Sequence, residues 1–80
     1  MSWFRSSATL RKLLVEQRQA AGLSQAEFAS RLGRPQAFVS RLESGQRRLD
    51  VFEFVAIAQA LDLDPVNLFA EAIKNLVKTG

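Results

Sequence analysis

The sequence has 80 residues, a formal net charge of +3 and neither cysteine nor histidine. This length fits one small domain, residues 1–80, which buries only about 60% of the surface of the unfolded chain. The missing residue types exclude disulfides, zinc fingers, thiol nucleophiles and imidazole bases, and we expect neither a metal nor a cofactor. There is no apolar signal segment and no apolar run of ~18 residues, so we expect a cytoplasmic protein without a membrane span.

Residues 1–7 are predicted to form an N-terminal arm. The arm carries two large aromatic side chains, Trp3 and Phe4, among serines. Because aromatic rings bury a large apolar area, we expect them to dock on the domain or on a second subunit. A disordered arm is the alternative.

A first helix is predicted from about Ala8 to Ala21. Arg18 lies four residues after Leu14 and therefore falls on the inward side of this helix, which Gly22 ends. The apolar residues that define the inward side recur at helical spacing: Leu10, Leu13, Leu14 and Ala21.

A second helix is predicted over residues 25–32. Ser24 and Glu27 have the spacing of a capping box, in which the serine oxygen and the glutamate each accept a backbone N–H. Gly33 suits the left-handed residue that ends a helix.

A third helix is predicted from about 35 to 44, because the fixed φ of Pro35 suits a helix start. Val39 and Leu42 mark its buried side. Glutamine and arginine on an exposed helix face can each make two hydrogen bonds to a purine edge in the major groove, although an ordinary solvated face is the simpler interpretation. The residues assigned to base readout are Gln36, Ala37, Ser40 and Arg41.

The two runs S-Q-A-E-F-A (24–29) and V-S-R-L-E-S-G (39–45) resemble the helix-turn-helix of the Cro- and phage-repressor-like family, also called the xenobiotic-response-element (XRE) type. The resemblance extends from about Leu10 to Phe69. It implies an all-α, five-helix, lambda-repressor-like domain in which helices 2 and 3 read DNA. The chain departs from the family at Arg34-Pro35, where an apolar residue and then Ser or Thr are usual, so position 35 offers no side-chain cap.

Charge is unevenly distributed along the chain. Residues 31–48 hold five arginines and one glutamate, whereas residues 49–73 hold five acidic residues and no basic one. Because the positive segment surrounds the predicted recognition helix, we expect it to face phosphates. The candidates for contacts with the DNA backbone are Gln25, Arg34, Ser44, Gln46, Arg47 and Arg48.

Glu43 lies four residues after Val39 and so, like Arg18, leans inward. Because a lone buried charge is unfavourable, we expect Arg18 and Glu43 to form an ion pair. The family resemblance implies the same pairing. Two separately solvated charges are the alternative.

Asp50 and Glu53 form another capping box, which opens a fourth helix to about Leu61, and Asp64-Pro65 starts the fifth helix. The fourth helix is apolar over most of its circumference, so we expect it to be central. The fifth helix has more apolar residues than a small core can cover, which predicts a homodimer interface; closure of a monomer core by Ile73 and Leu76 is the alternative. The interface candidates are Phe69, Ile73, Leu76 and Val77.

We therefore expect a transcriptional regulator that binds double-stranded DNA as a dimer on a near-palindromic operator, and that blocks or recruits RNA polymerase. With no second domain after the fifth helix, the chain looks like the small controller regulators of restriction–modification systems. Small phage repressors and antitoxin-type regulators are also similar. The rival class is an interaction module that binds a partner protein such as a toxin. No nucleophile or acid–base constellation is visible, so we do not expect an enzyme.

Overall fold

The computed structural model describes the backbone of residues 3–79 and the side chains of residues 7–77. The predicted all-α fold with five helices is confirmed. The helices are α1 (Trp3–Ala20), α2 (Gln25–Leu32), α3 (Gln36–Ser44), α4 (Val51–Ala60) and α5 (Pro65–Thr79).

The start of α1 corrects the prediction of an N-terminal arm over residues 1–7. The helix already begins at Trp3 instead of Ala8. Residues 3–7 contain neither glycine nor proline, so nothing in this segment breaks a helix. Within α1, Arg11 Nη1 donates to Ser7 Oγ one turn earlier, at 2.8 Å. The side chains of Trp3 and Phe4, expected to dock on the domain or on a second subunit, lie outside the described residues.

Both predicted capping boxes are present and set the starts of α2 and α4. Ser24 Oγ accepts from the Glu27 N–H at 3.1 Å, and Glu27 Oε1 accepts from the Ser24 N–H at 2.9 Å. Asp50 Oδ1 and Glu53 Oε1 make the same exchange at 2.7 and 3.1 Å. Two otherwise unpaired N–H groups are satisfied at each helix start, so these boundaries follow from short local sequences.

The core lies where all five helices meet. Within the described residues, α1 packs against α3 and α5, α2 packs against α3 and α4, and α4 packs against α5. The largest fully buried side chains come from three different helices: Phe28, Val39 and Ile57. The arrangement holds α2 and α3 against a common apolar centre and leaves their outer faces in solvent.

Helix α4 is less central than its composition predicts. Phe54, Ile57 and Ala58 are buried, but Val51 and Phe52 in its first turn are 74% and 86% exposed. The apolar composition of α4 therefore overestimates the burial of its first turn. None of the helices in the described part of the chain is both long and apolar enough to cross a membrane.

Candidate nucleic-acid interface

The turn between α2 and α3 is built on Gly33 and Pro35. Gly33 is left-handed, with φ of 66°, and its N–H reaches the carbonyls that end α2. Pro35 occupies the N-cap of α3 in an extended conformation (φ −63°, ψ 152°) without a side-chain cap. Helix α3 thus begins at Gln36, one residue after the predicted start, because ψ of Pro35 lies outside the helical range.

Helix α3 is divided into a buried side and an exposed side. Phe38, Val39 and Leu42 are buried. Sequence reasoning identified Val39 and Leu42 but did not place Phe38, which is 6% exposed. All four residues assigned to base readout are exposed together: Gln36, Ala37, Ser40 and Arg41.

Behind this surface, Arg18 and Glu43 form a bidentate ion pair between α1 and α3. Arg18 Nε and Nη2 donate to Glu43 Oε2 and Oε1 at 2.7 and 3.1 Å, and the two side chains are 11% and 10% exposed. Arg18 Nη1 also donates to the Leu23 carbonyl at 2.7 Å. Because most of the polar atoms find partners, the pair can lie near the core without a stranded charge.

Gln25 connects this ion pair to the outer surface. Its Nε2 donates to Glu43 Oε1 at 2.9 Å, and its side chain is half-buried at the first position of α2. The sequence assigned Gln25 to a phosphate contact at the helix N-terminus. The structure adds a contact with Glu43, so that α1, α2 and α3 meet at one carboxylate.

A second group of residues lies at the ends of α3. The guanidinium carbons of Arg34 and Arg47 are 4.9 and 4.5 Å from the ring centroid of Phe38. Arg47 Nη1 and Nη2 donate to Glu53 Oε1 and Oε2 at 2.7 and 2.6 Å. We call Arg34, Phe38, Arg47 and Glu53 the flank cluster.

Hydrogen bonding within the flank cluster shifts the pKa values of Glu53 and Arg47. Hydrogen bonding from Arg47, and then from the Asp50 N–H, lowers the pKa of Glu53. The reciprocal bond to Glu53 raises the pKa of Arg47. Both groups therefore stay charged at neutral pH. Sequence reasoning did not place Phe38 or Glu53 at the site; the available signal was that Glu53, already in a capping box, is six residues from Arg47.

The remaining backbone-contact candidates lie at the last residue of α3 and in the loop that follows it. Ser44 Oγ donates to the Arg41 carbonyl at 3.2 Å, and the Gln46 N–H donates to the same carbonyl at 2.9 Å. Gln46 and Arg48 are exposed. Gly45, between Ser44 and Gln46, has φ of 86°, and a Cβ built there would lie 2.9 Å from Arg11 Cζ. The guanidinium of Arg11 thus packs against the C-terminal cap of α3.

A separate apolar stripe runs along α5. Phe69, Ile73 and Val77 from the predicted interface are 55%, 40% and 68% exposed, and Val66, which the prediction missed, is 75% exposed. Spacings of three and four residues place these four side chains on one side of the helix. Leu76 is partly buried, so it lies at the border of the stripe.

Comparison with known proteins identifies the family. The sequence model of a protein family described as "Helix-turn-helix domain" matches residues 9–71 of the chain. An XRE-family like protein from Pseudomonas syringae pv. tomato str. DC3000 has 45% identity, with 86% of this chain and 84% of that chain covered and a TM-score of 0.81. No curated protein sequence matches the chain.

Controller proteins share the fold at lower identity. The wild-type restriction–modification controller protein C.Esp1396I has 20% identity, with 98% of this chain and 99% of that chain covered and a TM-score of 0.82. The C.Esp1396I tetramer in complex with its natural 35 base-pair operator has 19% identity, 96% and 99% coverage and a TM-score of 0.81.

The predicted family resemblance is confirmed by the extent of the family match and by the identity to the Pseudomonas syringae protein. The chain belongs to the helix-turn-helix domain family and is a DNA-binding regulator of the XRE type.

Proposed function

We propose that this protein regulates transcription by binding a near-palindromic operator as a homodimer, with α3 of each subunit in the major groove. The observation that carries the proposal is the exposed side of α3. Gln36 and Arg41 offer the amide and guanidinium groups that pair with purine edges, while Ala37 and Ser40 are small enough to let the helix approach the bases. A regulator bound at an operator blocks RNA polymerase or recruits it by contact.

Phosphate contacts are assigned to the polar residues around this reading surface. Arg34 and Arg48 are exposed and cationic, and lie on either side of α3. Such contacts fix the register of the protein on DNA and make affinity depend on salt, but they carry little sequence information. Gln25, Ser44 and Gln46 are the uncharged members of the same set.

The dimer is proposed from the apolar stripe on α5. One recognition helix reads only a few base pairs, whereas a two-fold dimer places two such helices about 34 Å apart, one turn of DNA. Exposed apolar side chains in one continuous stripe mark an interface more often than a free surface. The stripe consists of Val66, Phe69, Ile73 and Val77, with Leu76 at its border.

Selection of bound sequences from random duplex DNA tests the function, and Arg41→Ala tests the readout. This variant should lose about 1–3 kcal/mol of binding free energy on the selected site and relax specificity at one base position. Arg48→Ala is the control: it should weaken all duplexes similarly and reduce the salt slope by about one. Equal weakening of every sequence by Arg41→Ala would remove its assigned role. Protein-partner binding without salt-sensitive DNA binding would favour the interaction module.

Sedimentation equilibrium at micromolar concentration tests the dimer. Ile73→Asp should shift the protein to a monomer and weaken operator binding, because it places a charge within the apolar stripe. Asn67→Asp adds the same charge at an exposed residue of α5 beside the stripe, and should leave the dimer intact. A wild-type monomer, with operator affinity unaffected by Ile73→Asp, would contradict the proposed assembly.

A further inference from the structure

The two arginines that flank the recognition helix meet at one aromatic ring. Arg34 precedes α3 and Arg47 follows it, yet their guanidinium carbons lie 4.9 and 4.5 Å from the ring centroid of Phe38. Contacts at these distances are attractive because the ring face is electron-rich. Phe38 is itself a buried residue of α3. The ring therefore joins the segments at both ends of the helix to its middle.

One carboxylate on α4 completes the arrangement. Glu53 accepts from Arg47 at 2.7 and 2.6 Å, and Arg34 Nη2 lies 4.0 Å from Glu53 Oε2. The Glu53 side chain is 11% exposed. A two-point contact with the planar guanidinium fixes orientation as well as distance. Glu53 thus sets where the loop after α3 lies relative to α4.

The same contacts reduce what Arg47 can offer to a phosphate. Two of its donors go to Glu53, and Nη1 also donates to the Arg48 carbonyl at 2.8 Å. Its positive charge is balanced by a carboxylate in direct contact. Arg34 differs, since it is 49% exposed and only reaches Glu53 at 4.0 Å.

We propose that Glu53 is a positioning residue for DNA binding, which acts through Arg47 and Phe38 to fix the loop after α3 and to orient Arg34. The proposal rests on the proposed function, and it assigns Arg47 to the support of this loop in place of a phosphate contact. A loop that is ordered before binding loses less conformational freedom when DNA arrives. Removing Glu53 should therefore weaken binding although Glu53 itself repels phosphate.

Glu53→Gln tests the proposal because the chain contains a matched control. Glutamine can still complete the capping box with Asp50, so the helix start is kept while the ion pair is lost. Glu27→Gln makes the same change in the capping box of α2, where the glutamate accepts from Ser24. Affinity for the selected duplex is measured by fluorescence anisotropy at several salt concentrations, after thermal unfolding has shown that each variant is folded.

We expect Glu53→Gln to weaken operator binding about 3- to 10-fold, within the range for ordering one side chain, with the salt slope unchanged. Glu27→Gln should stay within about twofold of wild type. Tighter binding by Glu53→Gln, with a salt slope steeper by about one, would show that Glu53 only competes with phosphate for Arg47, and would overturn the proposal. Unchanged affinity would overturn it too.

Arg47→Lys provides a second test, which remains available if Glu53→Gln does not fold. Lysine keeps the charge that a phosphate contact needs but loses the planar fork that Glu53 and Phe38 hold. We expect Arg47→Lys to bind the selected duplex as weakly as Glu53→Gln does. Wild-type affinity of Arg47→Lys would overturn the positioning role of Glu53. A wild-type protein that binds no selected duplex would instead overturn the proposed function, and this proposal with it.

Discussion

Two arginine–glutamate pairs hold the recognition helix, but they constrain different parts of it. The inner pair, Arg18–Glu43, spans 25 residues and joins α1 to α3, with side chains 11% and 10% exposed. The outer pair, Arg47–Glu53, spans six residues and joins the loop after α3 to α4, with Arg47 34% exposed. The inner pair holds α3 in the domain, whereas the outer pair orders the segment next to the reading surface. Similar chemistry therefore joins two helices near the core at one place and orders an exposed loop at the other, where our proposal gives it a further role in DNA binding.

Breaking the inner pair should produce the largest loss of stability. Glu43→Leu strands the nearly buried guanidinium of Arg18, and Arg18→Met strands the carboxylate, so each should lower the free energy of unfolding by about 3–5 kcal/mol. The double variant should lose much less than the sum, because it leaves no unpaired charge. Denaturant unfolding of the four proteins measures this coupling. Additive losses would mean that the two residues do not act as a pair.

An intermediate loss of stability is expected from a change at Gly45, where the loop that carries Arg47 begins. Gly45→Ala puts a Cβ at φ of 86° and within 2.9 Å of Arg11 Cζ, which should cost about 1–2 kcal/mol, mostly from the left-handed backbone. Gly22→Ala is the control, since Gly22 has φ of 73° and no atom within 4 Å of the added Cβ. Because the contact is with the far end of a flexible side chain, thermal unfolding should show only a slightly larger loss for Gly45→Ala. Equal losses would mean that Arg11 moves aside freely.

Acid should weaken the outer pair, and the resulting loss of stability is the smallest of the expected effects. The hydrogen bonds from Arg47 keep the pKa of Glu53 below its usual 4.5. Because this pKa is lower in the folded than in the unfolded state, ionised Glu53 stabilises the fold above that range, and this contribution is lost as the pH falls through the lowered pKa. Glu53→Gln should therefore be less stable than wild type near neutral pH.

Thermal unfolding between about pH 7 and pH 3 should show the difference between wild type and Glu53→Gln narrowing at the acid end. Glu27→Gln provides the comparison variant, because the pKa of Glu27 is also lowered, but chiefly by the backbone N–H of Ser24. A difference that stays constant with pH would show that the charge of Glu53 does not stabilise the fold.

Sequence reasoning succeeded where the determinants are local or periodic. Capping boxes gave the starts of α2 and α4, and helical spacing placed Arg18 and Glu43 on inward sides, where the structure brings them together. It failed at residues 3–7, because serine-rich composition was taken for an arm although nothing there breaks a helix. It also failed to place Phe38, although this residue lies four residues before Leu42 and therefore on the same side of α3.

The ion pair of Arg47 with Glu53 was likewise beyond sequence reasoning. An arginine in a basic loop beside a recognition helix is expected to face phosphate, and only the course of the chain from α3 to α4 brings it to Glu53. Ion pairs across irregular segments depend on backbone geometry that composition does not specify. Exposed residues such as Gln36 and Arg41 were easier to place, since helical spacing alone determines their side of α3.

The contact between Gln25 and Glu43 has a consequence for how operator preference can diverge among related proteins. Substitution of Gln25 removes a 2.9 Å hydrogen bond to the carboxylate that also holds Arg18, so a gain in DNA contact at this position carries a loss in folding. Gln36, Ala37, Ser40 and Arg41 are exposed, and exposed positions accept substitution at little cost to stability. Under the proposed readout, a new operator preference therefore costs less stability when it arises through the exposed residues of α3 than through position 25.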